Sequence, residues 1–169
     1  MEIHVQELAS KGTKTPLRAS LDTSWLKEVR KDVLSSGPLE VDLVTYGLAG
    51  TAHIEGQLSI DVELACSRCL EPVKETIVVP FHERFKPAAS KHGAEDEEVI
   101  VVEEDKVELD PLFEENMLLA LPFTPMCSED CKGLCHSCGS NLNESACGCS
   151  TERIDPRLAA LKDLFKDNK

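Results

Sequence analysis

The chain has 169 residues, 41% of them hydrophobic, which is enough to bury the core of one ordinary domain without covalent staples. Its 18 basic and 31 acidic residues give a formal net charge of −13, which repels nucleic acid and anionic membranes over most of the surface and suits a basic protein partner. No stretch approaches the roughly 20 apolar residues that span a bilayer, and residues 1–6 lack the pattern of a secretory signal. We therefore expect a cytoplasmic protein in a reducing compartment, without membrane contact.

The N-terminal region is predicted to form one strand and one short helix. Residues 2–8 alternate between apolar and polar side chains, which predicts a strand. Asp22 is expected to cap a helix whose apolar side chains share one face. These side chains are Trp25, Leu26, Val29 and Val33.

The region from Leu39 to Phe85 has the alternating pattern of β-strands, interrupted by glycine and proline. Its expected inward-facing residues are Val41, Leu43, Thr45, Ile60, Val62, Leu64, Ile77, Val79 and Phe81. The short connections favour antiparallel pairing, because parallel strands need crossovers of about a dozen residues or more. We therefore predict a meander of three or four strands.

The second half of the chain is predicted to hold two helices and a segment with no regular period. Residues 86–98 have the composition of a mobile acidic loop, and residues 99–102 are expected to return to the sheet. Asp110 and Pro111 begin a helix that carries Phe113 and Met117, and a last short helix begins at Asp155. The fold class is therefore α+β: residues 1–125 are expected to form the main domain, and residues 126–169 a cysteine-rich segment packed on it.

The eight cysteines are predicted to be metal ligands, most simply for two structural zinc ions. Two pairs have a two-residue spacing, which lets one tight turn direct two thiolates at one ion, and four sulfurs complete the tetrahedron that zinc prefers. The reducing compartment disfavours disulfides. A redox motif would be followed by a helix, whereas a strand is predicted after the first pair. The cysteine spacing of ferredoxins, which would indicate an iron–sulfur cluster, is absent. The predicted ligands are Cys66, Cys69, Cys127, Cys131, Cys135, Cys138, Cys147 and Cys149.

The division of the ligands between two ions has more than one solution. We expect Cys66 and Cys69 to join Cys127 and Cys131, with the remaining four forming a local site. Closing the loop of nearly 60 residues costs roughly 3 to 4 kcal/mol, whereas zinc binding supplies roughly 10 to 16 kcal/mol. The alternatives are that the first pair joins Cys135 and Cys138 instead, or that His136 replaces one cysteine.

Arg68 and Lys132 lie beside predicted ligands and have two interpretations. Two four-thiolate zinc sites would each carry a charge of about −2, which these cations would offset locally. Alternatively they could contact RNA or phosphate, because the planar guanidinium of arginine matches phosphate oxygens.

The sequence offers no sign of catalysis. A catalytic zinc keeps one position open, and eight cysteines would close two sites. The phosphate-binding loop, the nucleophile elbow and the HExxH motif are all absent from the sequence. Four polar residues of the predicted strands are interpreted as solvent-facing rather than as acid–base pairs. They are Asp61, Glu63, His82 and Glu83. We therefore predict neither an enzyme nor a small-molecule substrate.

Three segments resemble the YceD family. They are CSRCL at 66–70, CKGLCHSCGSNLN at 131–143 and DPRLAAL at 155–161. The resemblance implies a role in the accumulation of large-subunit ribosomal RNA, and hence a bacterial ribosome-assembly factor.

Two kinds of partner are consistent with that resemblance, large-subunit ribosomal RNA and a basic protein of the large subunit. Binding RNA would need a local basic patch near Arg68, Arg84, Lys86 or Lys132, whereas binding a basic protein would use the acidic residues 95–105. A redox-responsive zinc switch, or a general protein-interaction module, is the alternative function.

Overall fold

The computed structural model describes residues 1–88 and 99–149, which form the expected α+β fold. Most strands join one six-stranded sheet, and two short strands pair separately. In chain order the elements are β1 (Glu2–His4), α1 (Val5–Ser10), β2 (Thr15–Leu21), α2 (Trp25–Val29), β3 (Val33–Ser36), β4 (Leu39–Leu48), β5 (Thr51–Ala65), β6 (Pro72–Pro87), β7 (Ile100–Val102), β8 (Lys106–Glu108) and α3 (Asp110–Ala120).

The large sheet has the strand order β2-β4-β5-β6-β7, and β3 pairs with the part of β5 that extends past the first residue of β4. All its pairings are antiparallel except that of β6 with β7, which is parallel. Ala49 and Gly50 join β4 to β5 with φ angles of 51° and 77°, and two such residues match the twist of a tight hairpin. The predicted antiparallel meander is therefore confirmed, within a wider sheet.

One face of the sheet carries the core. The predicted inward-facing residues of β4 and β5 are buried, and from β6 Ile77, Phe81 and Phe85 join them. Helix α3 adds Phe113 and Met117, and the ring of Phe113 meets that of Phe81 edge-on at a centroid distance of 5.1 Å. This geometry is favourable for aromatic pairs, and it fixes α3 against the middle of β6.

Strands β5 and β6 form a long hairpin whose closed end positions the first cysteine pair. Their register runs to the pair Ala65 and Pro72, so residues 66–71 form the hairpin connection. Arg30 lies close to this end, donating hydrogen bonds to Asp32 and, at 3.1 Å, to the carbonyl oxygen of Pro122. Since the backbone N–H of Ala65 donates to the carbonyl oxygen of Asp32 at 2.8 Å, the segment after α3 is held next to the hairpin end.

The N-terminal predictions were partly wrong. The first strand ends at His4 and helix α1 follows, because the next apolar residues, Val5 and Leu8, are three apart and share the face of a helix that packs on the core. Strands β2 and β3 were not predicted.

Helix α2 is also shorter than predicted. It ends at Val29, which is exposed, and Val33 begins β3 instead. Asp22 accepts a hydrogen bond from the N–H of Ser24 at 3.2 Å, but Ser24 is the residue that precedes the helix, so Asp22 stabilises the turn before the cap position.

Glu83 departs from the prediction that it faces solvent. It lies on the same face of β6 as Phe81 and Phe85 and is partly buried, and burial raises the pKa of its carboxyl group, with Glu115 adding to the effect. Residues 89–98 of the predicted acidic loop and the predicted last helix at 155–165 both lie outside the described residues.

Candidate metal centre

The eight cysteine thiols form two groups of four, and within each group all sulfur atoms lie within 4.8 Å of one another. We call them the hairpin group and the C-terminal group. The hairpin group is Cys66, Cys69, Cys127 and Cys131, and the C-terminal group is Cys135, Cys138, Cys147 and Cys149. The thiols are thus brought together as the first of the two sequence-based divisions expects, and the alternative division is not the one observed.

The hairpin end supplies the first two thiols of the hairpin group. The N–H of Leu70 donates to the carbonyl oxygen of Cys66, and the N–H of Cys66 donates to that of Glu71, both at 2.9 Å. Leu70 has a φ of 64°, which closes the turn tightly. Cys66 and Cys69 consequently point to one side and are both buried.

The other two thiols arrive from the segment after α3. The N–H of Ser67 donates to the carbonyl oxygen of Pro125 at 2.8 Å, and the N–H of Cys127 donates to the sulfur of Cys66 at 3.4 Å. These bonds place Cys127 and Cys131 over the hairpin end, although they follow it by about 60 residues.

The C-terminal group is local and more exposed. The N–H of Cys135 donates to the carbonyl oxygen of Ser140, and the N–H of Gly139 donates to that of Cys135, both at 2.8 Å. Gly139 has a φ of 75°, as a turn directly after Cys138 requires. Of this group only Cys135 is buried, whereas three thiols of the hairpin group are.

The sulfur spacing matches one tetrahedral ion. At a Zn–S distance of about 2.3 Å, two sulfurs of a tetrahedron are roughly 3.8 Å apart, and in the hairpin group Cys66 lies 3.9 Å from Cys131 and Cys69 lies 3.5 Å from Cys127. A disulfide would need about 2.05 Å, and all eight cysteines are free. The hairpin group therefore has the donor set and spacing of a four-thiolate metal site, and the C-terminal group has the same donor set with its sulfurs within 4.8 Å of one another.

The thiols of the hairpin group have unequal proton affinities. Burial alone would raise the pKa of Cys66, but backbone N–H groups, including that of Cys127, outweigh burial and lower it to about 6. At Cys69 a backbone N–H acts to lower the pKa, yet burial and the neighbouring sulfurs raise it to about 12. The pKa of Cys131 is lowered and that of Cys127 is raised, so two thiols of the group ionise readily and two resist, which is the situation that a divalent cation relieves.

The C-terminal group repeats this asymmetry. The hydroxyl and the backbone N–H of Ser140 lower the pKa of Cys138 to about 6, whereas the sulfurs of Cys138 and Cys135 raise that of Cys149 to about 12.

Arg68 and Lys132 lie together beside the hairpin group. Arg68 donates from Nη1 to the carbonyl oxygen of Cys131 at 2.8 Å, so part of its guanidinium binds the peptide that carries a thiol. Both residues are exposed. His136 is exposed and belongs to neither group of thiols.

Two features of this region were missed from the sequence. Asn143 donates from Nδ2 to the sulfur of Cys131 at 3.3 Å. Four large apolar side chains are exposed on the hairpin end, on α3 and on the segment after it, and Phe123 is the most exposed of them at 93%. Pro122 and Pro125 on either side of Phe123 could have indicated that it lies outside the helix. The four are Leu70, Leu119, Phe123 and Met126.

In the described part of the chain no helix has the length and apolar character needed to cross a membrane.

Three relatives were compared with the chain. An uncharacterized protein of Mycobacterium tuberculosis is 33% identical over 129 residues, which cover 75% of this chain and 62% of that protein. The protein YlbN of Bacillus subtilis, also uncharacterized, is 28% identical over 88% of this chain and 87% of its own length. The large ribosomal RNA subunit accumulation protein YceD of Haemophilus influenzae is 35% identical over 85 residues, 47% of this chain and 48% of that protein. No solved structure was found to match.

The family match covers the part of the fold that builds both cysteine groups. The family described as large ribosomal RNA subunit accumulation protein YceD matches residues 54–165, which include the β5–β6 hairpin, α3 and all eight cysteines. The chain therefore belongs to the YceD family.

Proposed function

We propose that this protein is a non-catalytic factor that supports the accumulation of large-subunit ribosomal RNA, held together by two structural zinc ions. We further propose that its direct partner is a basic protein of the large ribosomal subunit. The observation that carries the proposal is the pair of closed four-thiol groups in a member of the YceD family. The printed name of the Haemophilus relative supports the ribosomal part of it.

Zinc suits both groups better than other metals do. Neither group includes a histidine or a carboxylate, and four thiolates favour zinc in a closed tetrahedral site with no place for a reactive water. In the hairpin group the ion would tie the hairpin end to the segment after α3, so metal binding would contribute directly to folding. The same closure is the reason for proposing a structural role without catalysis.

The distribution of acidic residues favours a basic protein partner. Between Glu103 and Glu115 the chain has seven acidic residues and one basic residue. Lys106 is engaged with Glu2 at 2.8 Å, so it does little to reduce the surplus of negative charge. Such a surface attracts a cationic protein and repels phosphate.

The basic residues that would serve RNA binding fall into two distant pairs. Arg68 and Lys132 lie at the closed end of the hairpin, and Arg84 and Lys86 lie towards the other end of β6. From Pro72 to Arg84 the strand extends on the order of 35 to 40 Å. The four residues therefore cannot form one compact patch, which makes direct RNA binding the second candidate.

A cavity of about 230 Å³ beside the start of α3 has the chemistry to receive a lysine or arginine side chain. Trp25 and Phe113 contribute aromatic walls, and Asp22 and Glu114 contribute carboxylates, while the third carboxylate, of Asp110, is paired with the amino group of Met1 at 2.7 Å. An aliphatic stem can pack on the rings while its cationic head meets the carboxylates. Hydrogen bonds from Ser24 lower the pKa of Asp22, which keeps that carboxylate charged.

The cavity can be tested through Trp25, the single tryptophan of the chain. Titration of the zinc-loaded protein with a hexalysine peptide should change Trp25 fluorescence. Replacing Glu114→Gln should weaken the apparent affinity about 5-fold, since one such ion pair contributes on the order of 1 kcal/mol. Glu115→Gln is the matched control, because it removes the same charge from the next position of α3 but does not line the cavity. Equal effects of the two variants would leave only general charge attraction.

The partner is tested by affinity capture from lysate with and without nuclease. The proposal predicts that large-subunit proteins remain bound after nuclease treatment and are lost when Glu103→Gln and Glu104→Gln are combined. If ribosomal RNA is captured without nuclease and no ribosomal protein remains after nuclease treatment, the direct partner is RNA instead. Absence of every ribosomal component would refute the ribosomal function.

The metal is tested separately by elemental analysis of protein purified without added metal. Two groups of thiols predict about two zinc ions per chain. The combined variant Cys147→Ser and Cys149→Ser should retain one, because the hairpin group keeps all four thiols. A value near zero for the unaltered protein would refute the zinc sites.

A further inference from the structure

The two cysteine groups are joined by a short peptide that both of them hold. Cys131 belongs to the hairpin group and Cys135 to the C-terminal group. Between them, the N–H of Leu134 donates to the carbonyl oxygen of Arg68 at 3.1 Å, and the carbonyl oxygen of Gly133 accepts from the N–H of Leu142 at 2.9 Å. The peptide is therefore bound on one side by the hairpin end and on the other by the loop of the C-terminal group.

Asn143 extends that loop to a sulfur of the other group. It lies between Cys138 and Cys147, yet its Nδ2 donates to the sulfur of Cys131 at 3.3 Å and its Oδ1 accepts from the N–H of Lys132 at 2.7 Å. Its amide also contacts Asn141, donating to Oδ1 of that residue at 2.9 Å. One side chain from the C-terminal group thus binds both a thiol and the backbone of the hairpin group.

The loop that carries Asn143 is ordered by a few hydrogen bonds and by the thiols at its ends, without buried side chains of its own. None of residues 139–146 is buried, so the loop has no apolar core of its own. Its two ends are the thiols of Cys138 and Cys147. An ion that binds these thiols closes the loop and holds Asn143 in position, whereas loss of that ion releases both ends.

We propose that Asn143 couples the two metal sites, so that an ion in the C-terminal group strengthens binding of the ion in the hairpin group. The inference rests on the proposed function, in which both groups hold zinc. An N–H donor to a thiolate stabilises its charged, metal-binding form, and the Asn143 amide lies within hydrogen-bond distance of the Cys131 sulfur. By linkage, an ion in the hairpin group strengthens binding at the C-terminal group by the same factor.

The size of the expected effect follows from the loss of one hydrogen-bond partner of a metal-ligating side chain, which typically lowers metal affinity 10- to 100-fold. Exchange of bound zinc for isotopically labelled zinc, at a free-zinc concentration that keeps both groups occupied, should occur in two phases, the slower one from the more buried hairpin group. The variant Cys147→Ser with Cys149→Ser should show one phase, from the hairpin group, about 10-fold faster than the slow phase of the unaltered protein. A rate equal to that slow phase would overturn the coupling.

Asn143→Ala removes the amide that contacts Cys131, Lys132 and Asn141 without adding a charge beside the thiols. It should accelerate the slow phase about 10-fold, and combining it with the two serine substitutions should add little further, since loss of the ion in the C-terminal group already releases Asn143. Asn116→Ala is the matched control. Its amide donates to the carbonyl oxygen of Leu112 within α3, so zinc exchange should not change.

An unchanged slow phase in Asn143→Ala, or effects that simply add in the combined variant, would overturn the role of Asn143. If circular dichroism shows that Asn143→Ala does not fold, the two serine substitutions still decide whether the sites are coupled. Two zinc ions with independent exchange would refute only the coupling. Absence of zinc in the unaltered protein would refute the metal sites themselves, so the two failures are distinguishable.

Discussion

Replacing Gly133 by alanine should destabilise the peptide that connects the two cysteine groups, and by more than the strain of an alanine at a positive φ angle alone. Gly133 has a φ of 74°, and a Cβ there would lie 3.0 Å from the carbonyl oxygen of Arg68 and 3.4 Å from its Cβ. That carbonyl oxygen is the acceptor for the N–H of Leu134 at 3.1 Å. The new methyl group would therefore displace the hydrogen bond that attaches this peptide to the hairpin end.

Gly139 provides a matched control for the backbone conformation. Its φ is 75°, but a Cβ there would meet nothing within 4 Å. A left-handed conformation costs a residue other than glycine about 1 to 2 kcal/mol, and the lower entropy of the unfolded chain returns about 0.4 to 1 kcal/mol. We therefore expect Gly139→Ala to cost about 1 kcal/mol. For Gly133→Ala we expect about 2 kcal/mol, because loss of a hydrogen bond adds about 1 kcal/mol.

The assay is a guanidinium titration at a fixed, buffered concentration of free zinc, followed by zinc release and by far-ultraviolet circular dichroism. The zinc-release midpoint should fall further for Gly133→Ala than for Gly139→Ala. Equal midpoints would refute the reasoning, because they would show that Arg68 and the peptide move apart without cost.

Two further predictions concern the surroundings of the hairpin end. Asp32→Asn should cost about 1 kcal/mol at neutral pH, the upper end for a partly exposed ion pair. Arg30 lowers the pKa of Asp32 from 3.8, so this stabilisation is present above about pH 5 and is lost as the pH falls through and below 3.8. In urea titrations the difference in unfolding free energy between the variant and the unaltered protein should therefore shrink in acid. A difference that stays constant with pH would contradict the prediction. Phe123 is one of the four exposed apolar side chains near the hairpin end, and exposed apolar surface is typical of protein contacts. Phe123→Ser should therefore reduce capture of large-subunit proteins but change the free energy of unfolding by less than about 0.5 kcal/mol, as is usual for an exposed position. Unchanged capture would exclude Phe123 from the contact.

The sequence was sufficient where a local period or spacing carries the information. The alternation of β4, β5 and β6 requires one apolar face. The predicted faces of β4 and β5 are buried, as are Ile77 and Phe81 of β6, whereas Val79 is only half-buried. The helix from Asp110 follows from a proline in the first turn and from the spacing of Phe113 and Met117. The division of the thiols into two groups was also reached from spacing, although the length of the loop left a second solution open.

The sequence was insufficient where packing decides a short element. Val5 and Leu8 form a helix because the core accepts them at helical spacing, and a run of three alternating residues cannot indicate this. Glu83 follows the strand alternation, yet only the position of α3 explains its partial burial. The contact between Asn143 and Cys131 depends on how the two groups are stacked, which no local pattern encodes.

By itself the sequence determined that the chain is acidic, that its central region alternates as antiparallel strands, and that eight thiols occur at spacings suited to metal ligands. Tertiary structure alone decided that Cys66 and Cys69 lie at the closed end of a long hairpin and that the segment after α3 places Cys127 and Cys131 over it. The physical reason is that a tight turn fixes the direction of two neighbouring thiols, whereas a meeting across about 60 residues depends on the packing of everything between them.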